Sequence, residues 1–133
     1  MKNILTILGF ISIIGFFGCK KTSINIDEYY VKYEVNSSTI YYGGKLEVVL
    51  RNDNSQIITD TISTRSPWEM TIGPVNIGFN ANIQVNEISN NNGHLTLQSQ
   101  ISVSKNSSAF AVKSSDNSTS PRTSLLLDYA INY

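Results

Sequence analysis

A chain of 133 residues with ten basic and ten acidic side chains has no formal net charge. It holds about one domain and presents no basic field for nucleic acid. One cysteine and one histidine leave too few ligands for a disulfide or a zinc site of the usual kind.

The first nineteen residues form a distinct unit. Met1-Lys2-Asn3 leads into the apolar run Ile4–Gly18, which stops at Cys19. Crossing a bilayer takes about 20 apolar residues, so the run is short for a transmembrane helix. A secretory signal of the A-x-A type needs a small residue three positions back from the cut, where Phe16 stands. Phe16-Phe17-Gly18-Cys19 fits a lipobox better, with a small residue before an essential cysteine. The sequence thus predicts a lipoprotein signal peptide over residues 1–18 and acylation of Cys19. Two or more acyl chains, at about 0.8 kcal/mol per buried methylene, make anchoring stable. Residues 19–28 follow as the lipidated cysteine and a polar tether. Lys20 and Lys21 do not resemble the acidic surface-export signal of Bacteroidetes lipoproteins, which favours the periplasmic face of the outer membrane over the cell surface.

From residue 29 to 133 the period is two. Tyr29, Val31, Tyr33 and Val35 share one face of a strand, and Tyr30, Lys32, Glu34 and Asn36 the other. Ile40-Tyr41-Tyr42 is a short apolar stretch ended by Gly43-Gly44. Lys45–Arg51 makes the next strand, with Leu46, Val48 and Leu50 on one face, and Asn52-Asp53-Asn54-Ser55 a hairpin turn. Gln56–Ser63 breaks strict alternation, which predicts a bulge or a strand buried on both faces. Pro67 predicts an edge or a strand start, with Trp68, Met70 and Ile72 on one side, and Gly73-Pro74 predicts the following turn.

Ile77, Phe79, Ala81, Ile83 and Val85 then alternate with polar residues, and Leu95, Leu97, Ile101 and Val103 do the same with Ser99 on the apolar face. These two runs are expected to pair as a long hairpin across Ser89–Gly93. Ala109–Val112 reads as a short strand, Ser114–Thr123 as a polar loop, and Leu125, Leu127, Tyr129, Ile131 and Tyr133 as one face of the last strand. The expectation is an all-β, immunoglobulin-like antiparallel β-sandwich of about seven to eight strands.

Val31-Lys32-Tyr33-Glu34-Val35, Ser66-Pro67-Trp68 and the strands Ile77–Val85 and Leu95–Val103 come in an order that resembles the MmpS-like family of bacterial envelope proteins. The resemblance implies a small β-sandwich outside the cytoplasmic membrane. Mycobacterial members resemble accessory subunits of lipid and siderophore exporters and use a transmembrane helix, whereas this chain has a lipobox.

Little here supports catalysis. His94 follows Asn92-Gly93 and is expected in an exposed turn, and the aspartates are scattered without EF-hand spacing. No catalytic residue, metal or cofactor is expected. Trp68 either packs between the sheets or stacks a ligand. Tyr30, Tyr41 and Tyr42, with Trp68, form the candidate binding surface. Asp60-Thr61-Ile62 resembles a Bacteroidetes O-glycosylation site, with Thr61 as acceptor. The sequence therefore predicts a non-enzymatic, lipid-anchored envelope lipoprotein that binds or assists a protein partner. An immunity or inhibitor lipoprotein occluding a toxin or hydrolase is the alternative.

Overall fold

The computed structural model describes residues 26–37, 44–63, 67–89 and 95–133. Eight strands run in the order β1 (Tyr29–Ser37), β2 (Leu46–Arg51), β3 (Ile57–Ile62), β4 (Trp68–Val75), β5 (Asn80–Glu87), β6 (Leu97–Lys105), β7 (Ala111–Asp116) and β8 (Ser124–Ala130). They form two four-stranded antiparallel sheets, ordered β4-β1-β6-β7 and β3-β2-β5-β8. Among the described residues there is no helix.

Alternation builds both layers. Tyr29, Val31, Tyr33 and Val35 of β1 and Ile101 and Val103 of β6 face Leu46, Val48 and Leu50 of β2 and Ala81, Ile83 and Val85 of β5 across one buried core. Each strand thereby removes one apolar face from water, at about 25 cal/mol per Å². Among the described residues four buried serines, Ser37, Ser99, Ser102 and Ser104, interrupt the pattern, and the Ser99 hydroxyl donates to the Glu34 carbonyl at 2.9 Å.

Among the described strands, only two connections are hairpins. Between β2 and β3 the Asn52 side-chain oxygen accepts from the Asn54 and Gln56 amides at 3.0 and 2.8 Å, and Ser55 adopts φ 61°. That is the Asx-type turn expected of Asn52-Asp53-Asn54-Ser55. Between β6 and β7, Asn106 and Ser107 both have positive φ, 49° and 62°. Asn106 also ties this turn to the chain's entry: its Oδ1 accepts from the Glu28 amide at 2.9 Å and its Nδ2 donates to Asp27 at 2.9 Å. Asp27 pairs with Lys105 at 2.7 Å. Asp27 and Glu28, assigned from sequence to the tether, are thus bonded to the domain.

Several expectations are corrected. β5 and β6 do not pair as a hairpin: they lie in opposite sheets, β5 between β2 and β8 and β6 between β1 and β7. Their shared pattern records two strands facing one core, which alternation alone cannot tell from two strands side by side. Gly73-Pro74 is not the turn but part of β4, beside a shift in register where Tyr29 pairs with Val75 and Val31 with Ile72. The turn falls at 76–79, closed by Phe79 N donating to Asn76 O at 3.1 Å. Ile77 therefore stands in that turn, exposed, rather than on the dry face of β5.

β3 is a regular edge strand, neither bulged against β2 nor buried on both faces; Ile62 is buried, while Ile57 is exposed. Strand β7 runs from Ala111 through Asp116, so the following polar loop begins only at Asn117, and Ala109 and Phe110 precede the strand.

Candidate functional site

The sheet β4-β1-β6-β7 turns one face to the core and the other to solvent, and on the outer face polar side chains stand in register. Lys32 of β1 lies opposite Ser102 of β6, Glu34 opposite Gln100, and Asn36 opposite Gln98. Glu34 accepts from the Gln100 amide and pairs with Lys32 at 3.1 Å. The Gln100 hydrogen bond, followed by the Lys32 ammonium, holds the Glu34 carboxyl below the usual glutamate range. The centre of this face is therefore a fixed array of alternating charge and amide.

A cavity lies toward each end of the array. One, about 190 Å³, is lined by Glu34, Asn36, Pro67, Gln98, Gln100 and Asn117. The other, about 290 Å³, lies between Tyr30 and Phe110, with Thr71, Ser104, Ser107 and Ser108 completing its walls. Ser104 is buried, and its hydroxyl donates to the Ser108 carbonyl at 2.5 Å. The Lys32 ammonium sits 5.6 Å from the Phe110 ring centre, within cation–π range. Amide, hydroxyl and aromatic groups on a rigid backing suit recognition of a polar surface.

Of the sequence-predicted surface the structure describes Tyr30 and Trp68, and it sets them apart. Tyr30 lines the second cavity, with its hydroxyl 3.4 Å from a Glu28 carboxylate oxygen. Trp68 sits elsewhere, half-buried at the rim where the edge strands β3 and β4 meet, and its indole N–H donates to Asp60 at 2.8 Å. It packs against the core from the side rather than standing at its centre. Cys19, Tyr41, Tyr42 and His94 lie outside the described residues. Thr61 is exposed on the edge strand β3, with Asp60 accepting from its backbone amide at 2.7 Å.

Sequence reasoning missed Gln98, Gln100, Asn117 and Phe110. Alternation did place Gln98 and Gln100 on a wet face, but only the pairing of β6 with β1 sets them beside Glu34 and Asn36. Among the described residues, no three His, Cys, Asp or Glu side chains gather as metal ligands. Compared with models of protein families, with curated proteins and with solved structures, the chain matches none.

Proposed function

We propose that this protein is a lipid-anchored envelope lipoprotein whose sandwich binds a protein partner through the outer face of the β4-β1-β6-β7 sheet. Cys19 is the acylated residue, residues 1–18 are the signal, and the domain stands at the periplasmic face of the outer membrane. The observation that carries the binding role is the array Lys32–Glu34–Gln100, flanked by two cavities on one face. Charged and amide groups fixed before contact lose little rotamer freedom on binding, which favours specific association.

The order of sequence landmarks that resembles the MmpS-like envelope proteins fits the same role, as does the connectivity. In immunoglobulin sheets, strand B pairs with E, C with F, and F with G, and variable domains add C′ beside C. Here β1–β4, β2–β5, β5–β8 and β2–β3 supply those four pairings, with the β6–β7 hairpin taking the place of strand A next to β1. These pairings support the immunoglobulin-like reading of the sandwich. Thr61, exposed on an edge strand, is the proposed O-glycan acceptor.

A photo-crosslinking amino acid at Asn36 or Gln98, compared with one at Gln84 on the outer face of the other sheet, tests the binding face in intact cells. The same single protein should be captured from Asn36 and Gln98 and not from Gln84; equal capture from all three, or none, would refute the assignment. The intact mass of the purified protein reads both modifications, since acyl chains and glycan add distinct increments to the polypeptide.

A further inference from the structure

Five apolar or aromatic side chains stand exposed at one end of the sandwich, the end where the chain enters β1. Ile26 precedes β1 and is 67% exposed, Ile57 opens β3 at 62%, and Ile77 occupies the β4–β5 turn at 60%. Phe110 precedes β7 and Tyr133 follows β8, both also exposed. Register places these segments together. Tyr29 pairs with Val75 and with Lys105, Arg51 with Ile57, and Asn80 with Ala130. The 76–79 turn joins the two sheets here, held by Gly78 N to Ile131 O at 2.8 Å and Ile131 N to Phe79 O at 3.0 Å. Asp53 and Asn54 face Pro74, Asn76 and Phe79 across a cavity of about 340 Å³. Exposed apolar residues scattered singly are ordinary, but several at one end mark a surface that meets something apolar.

Charge at this end is mixed. Lys105 is paired with Asp27, and Arg51 and Lys113 stand against Glu28, Asp53 and, on β8, Asp128, so there is no basic excess. Lys113 lies 4.6 Å over the Tyr133 ring, and the Tyr29 and Tyr133 rings meet edge to face at 6.0 Å. Aromatic rings with polar tips beside apolar side chains are the residue mix of a membrane–water interface. Asp53, Asn54 and Asn76 nearby limit insertion to headgroup depth.

We propose that this end docks in the headgroup region of the bilayer that holds the acylated Cys19, through Ile26, Ile57 and Ile77. The inference rests on the lipoprotein assignment made above. Chain length selects the bilayer as occupant. From Cys19 to Ile26 is seven residue steps, which at roughly 3.3–3.6 Å each reach no more than about 25 Å. An anchor at Cys19 thus keeps this end, and not the opposite one, beside the lipid. Because this end carries no basic excess, the contact is apolar and does not require anionic lipid.

The test uses the acylated protein in phosphatidylcholine vesicles. Acylation blocks the Cys19 sulfur, so Ile57→Cys, Ile77→Cys and, at the opposite end, Ile88→Cys each carry one thiol for an environment-sensitive fluorophore. Labels at 57 and 77 should shift to shorter wavelength and be quenched by shallow nitroxide lipid at least twofold more than the label at 88, equally at low and high salt. Equal quenching at all three positions in protein whose mass shows acylation would overturn the docking while leaving the anchor intact. Protein whose mass shows no acyl chain would overturn the anchor and the docking with it. A spectral shift that grows with protein concentration in the absence of vesicles would overturn it in favour of a second copy of the chain.

Discussion

Two buried polar side chains differ in what their removal does. The Tyr33 ring is fully buried, and its hydroxyl faces the Asn82 backbone without a hydrogen bond of normal geometry. Burial pushes that phenol well above its ordinary range. Ser99 is equally buried but bonded to Glu34 O. Deleting an unsatisfied group relieves a desolvation cost, whereas deleting a satisfied one orphans its partner, each about 1 kcal/mol. Tyr33→Phe should therefore leave the urea midpoint unchanged or higher, and Ser99→Ala should lower it. The same logic governs Asp116, whose carboxylate receives both Arg122 nitrogens at 2.6 and 2.7 Å and the Ser118 amide at 2.9 Å. The Arg122 hydrogen bonds, then the Ser118 amide, pull Asp116 down to about 2. A folded pKa below the unfolded value of 3.8 contributes stability that is full above about pH 4 and lost as pH falls toward 2. Asp116 is about a third exposed, so solvent screening trims the contribution to about 1 kcal/mol. Urea unfolding of Asp116→Asn against the parent should show that gap near pH 6 and its closure near pH 2. None of these three roles is legible in the sequence, because Ser99, Asp116 and Tyr33 acquire them only from neighbours that the sheet pairing brings.

Among the strands, the sequence was most informative where one face is dry. β1, β2 and β6 appear with the faces that alternation assigned, and Pro67 stands immediately before the edge strand β4 as a residue without an amide donor should. It was least informative at β3 and β7, two of the four edge strands, which are mostly exposed and whose apolar residues carry no period, whereas the edge strands β4 and β8 keep their alternation. Gly73 shows why Gly-Pro misled. In β4 it takes φ 141°, and a Cβ there would lie 2.8 Å from the Tyr29 carbonyl oxygen and 2.8 Å from the Tyr30 ring. The glycine is needed for close approach of two strands, not for a turn. Gly73→Ala should cost about 2–3 kcal/mol, with Tyr30 and the cavity it lines displaced. Gly78, at φ 88° with open space around its missing Cβ, should lose only about 1 kcal/mol on the same change. Thermal denaturation of the two variants side by side separates steric approach from backbone strain; equal losses would remove the steric account.

At the scale of the molecule, two layers follow from composition and period, but the order of strands does not. Among the described strands, five of the seven connections cross between sheets, and only β2–β3 and β6–β7 pair neighbours in sequence. Hairpin logic, which favours consecutive pairing, therefore failed for β5 and β6, and with it failed the juxtaposition of β1 and β6 that builds the candidate binding face. The topology has a kinetic consequence. Tyr29 finds Lys105, Tyr33 finds Ile101, and Asn80 finds Ala130, so loops of roughly fifty residues or more close before those pairings stabilise anything. Sandwiches dominated by such contacts fold in about milliseconds to seconds. Trp68 is the only tryptophan, and its hydrogen bond to Asp60 links the edge strands of the two sheets, so its fluorescence reports when the layers meet. Stopped-flow dilution from urea should show the Trp68 signal recovering on that slow scale, in step with the far-ultraviolet dichroism of the strands. Recovery of Trp68 well ahead of the strand signal would mean that the β3–β4 rim closes before the sheets form, and that the long-range pairing of β1 with β6 is not what limits folding.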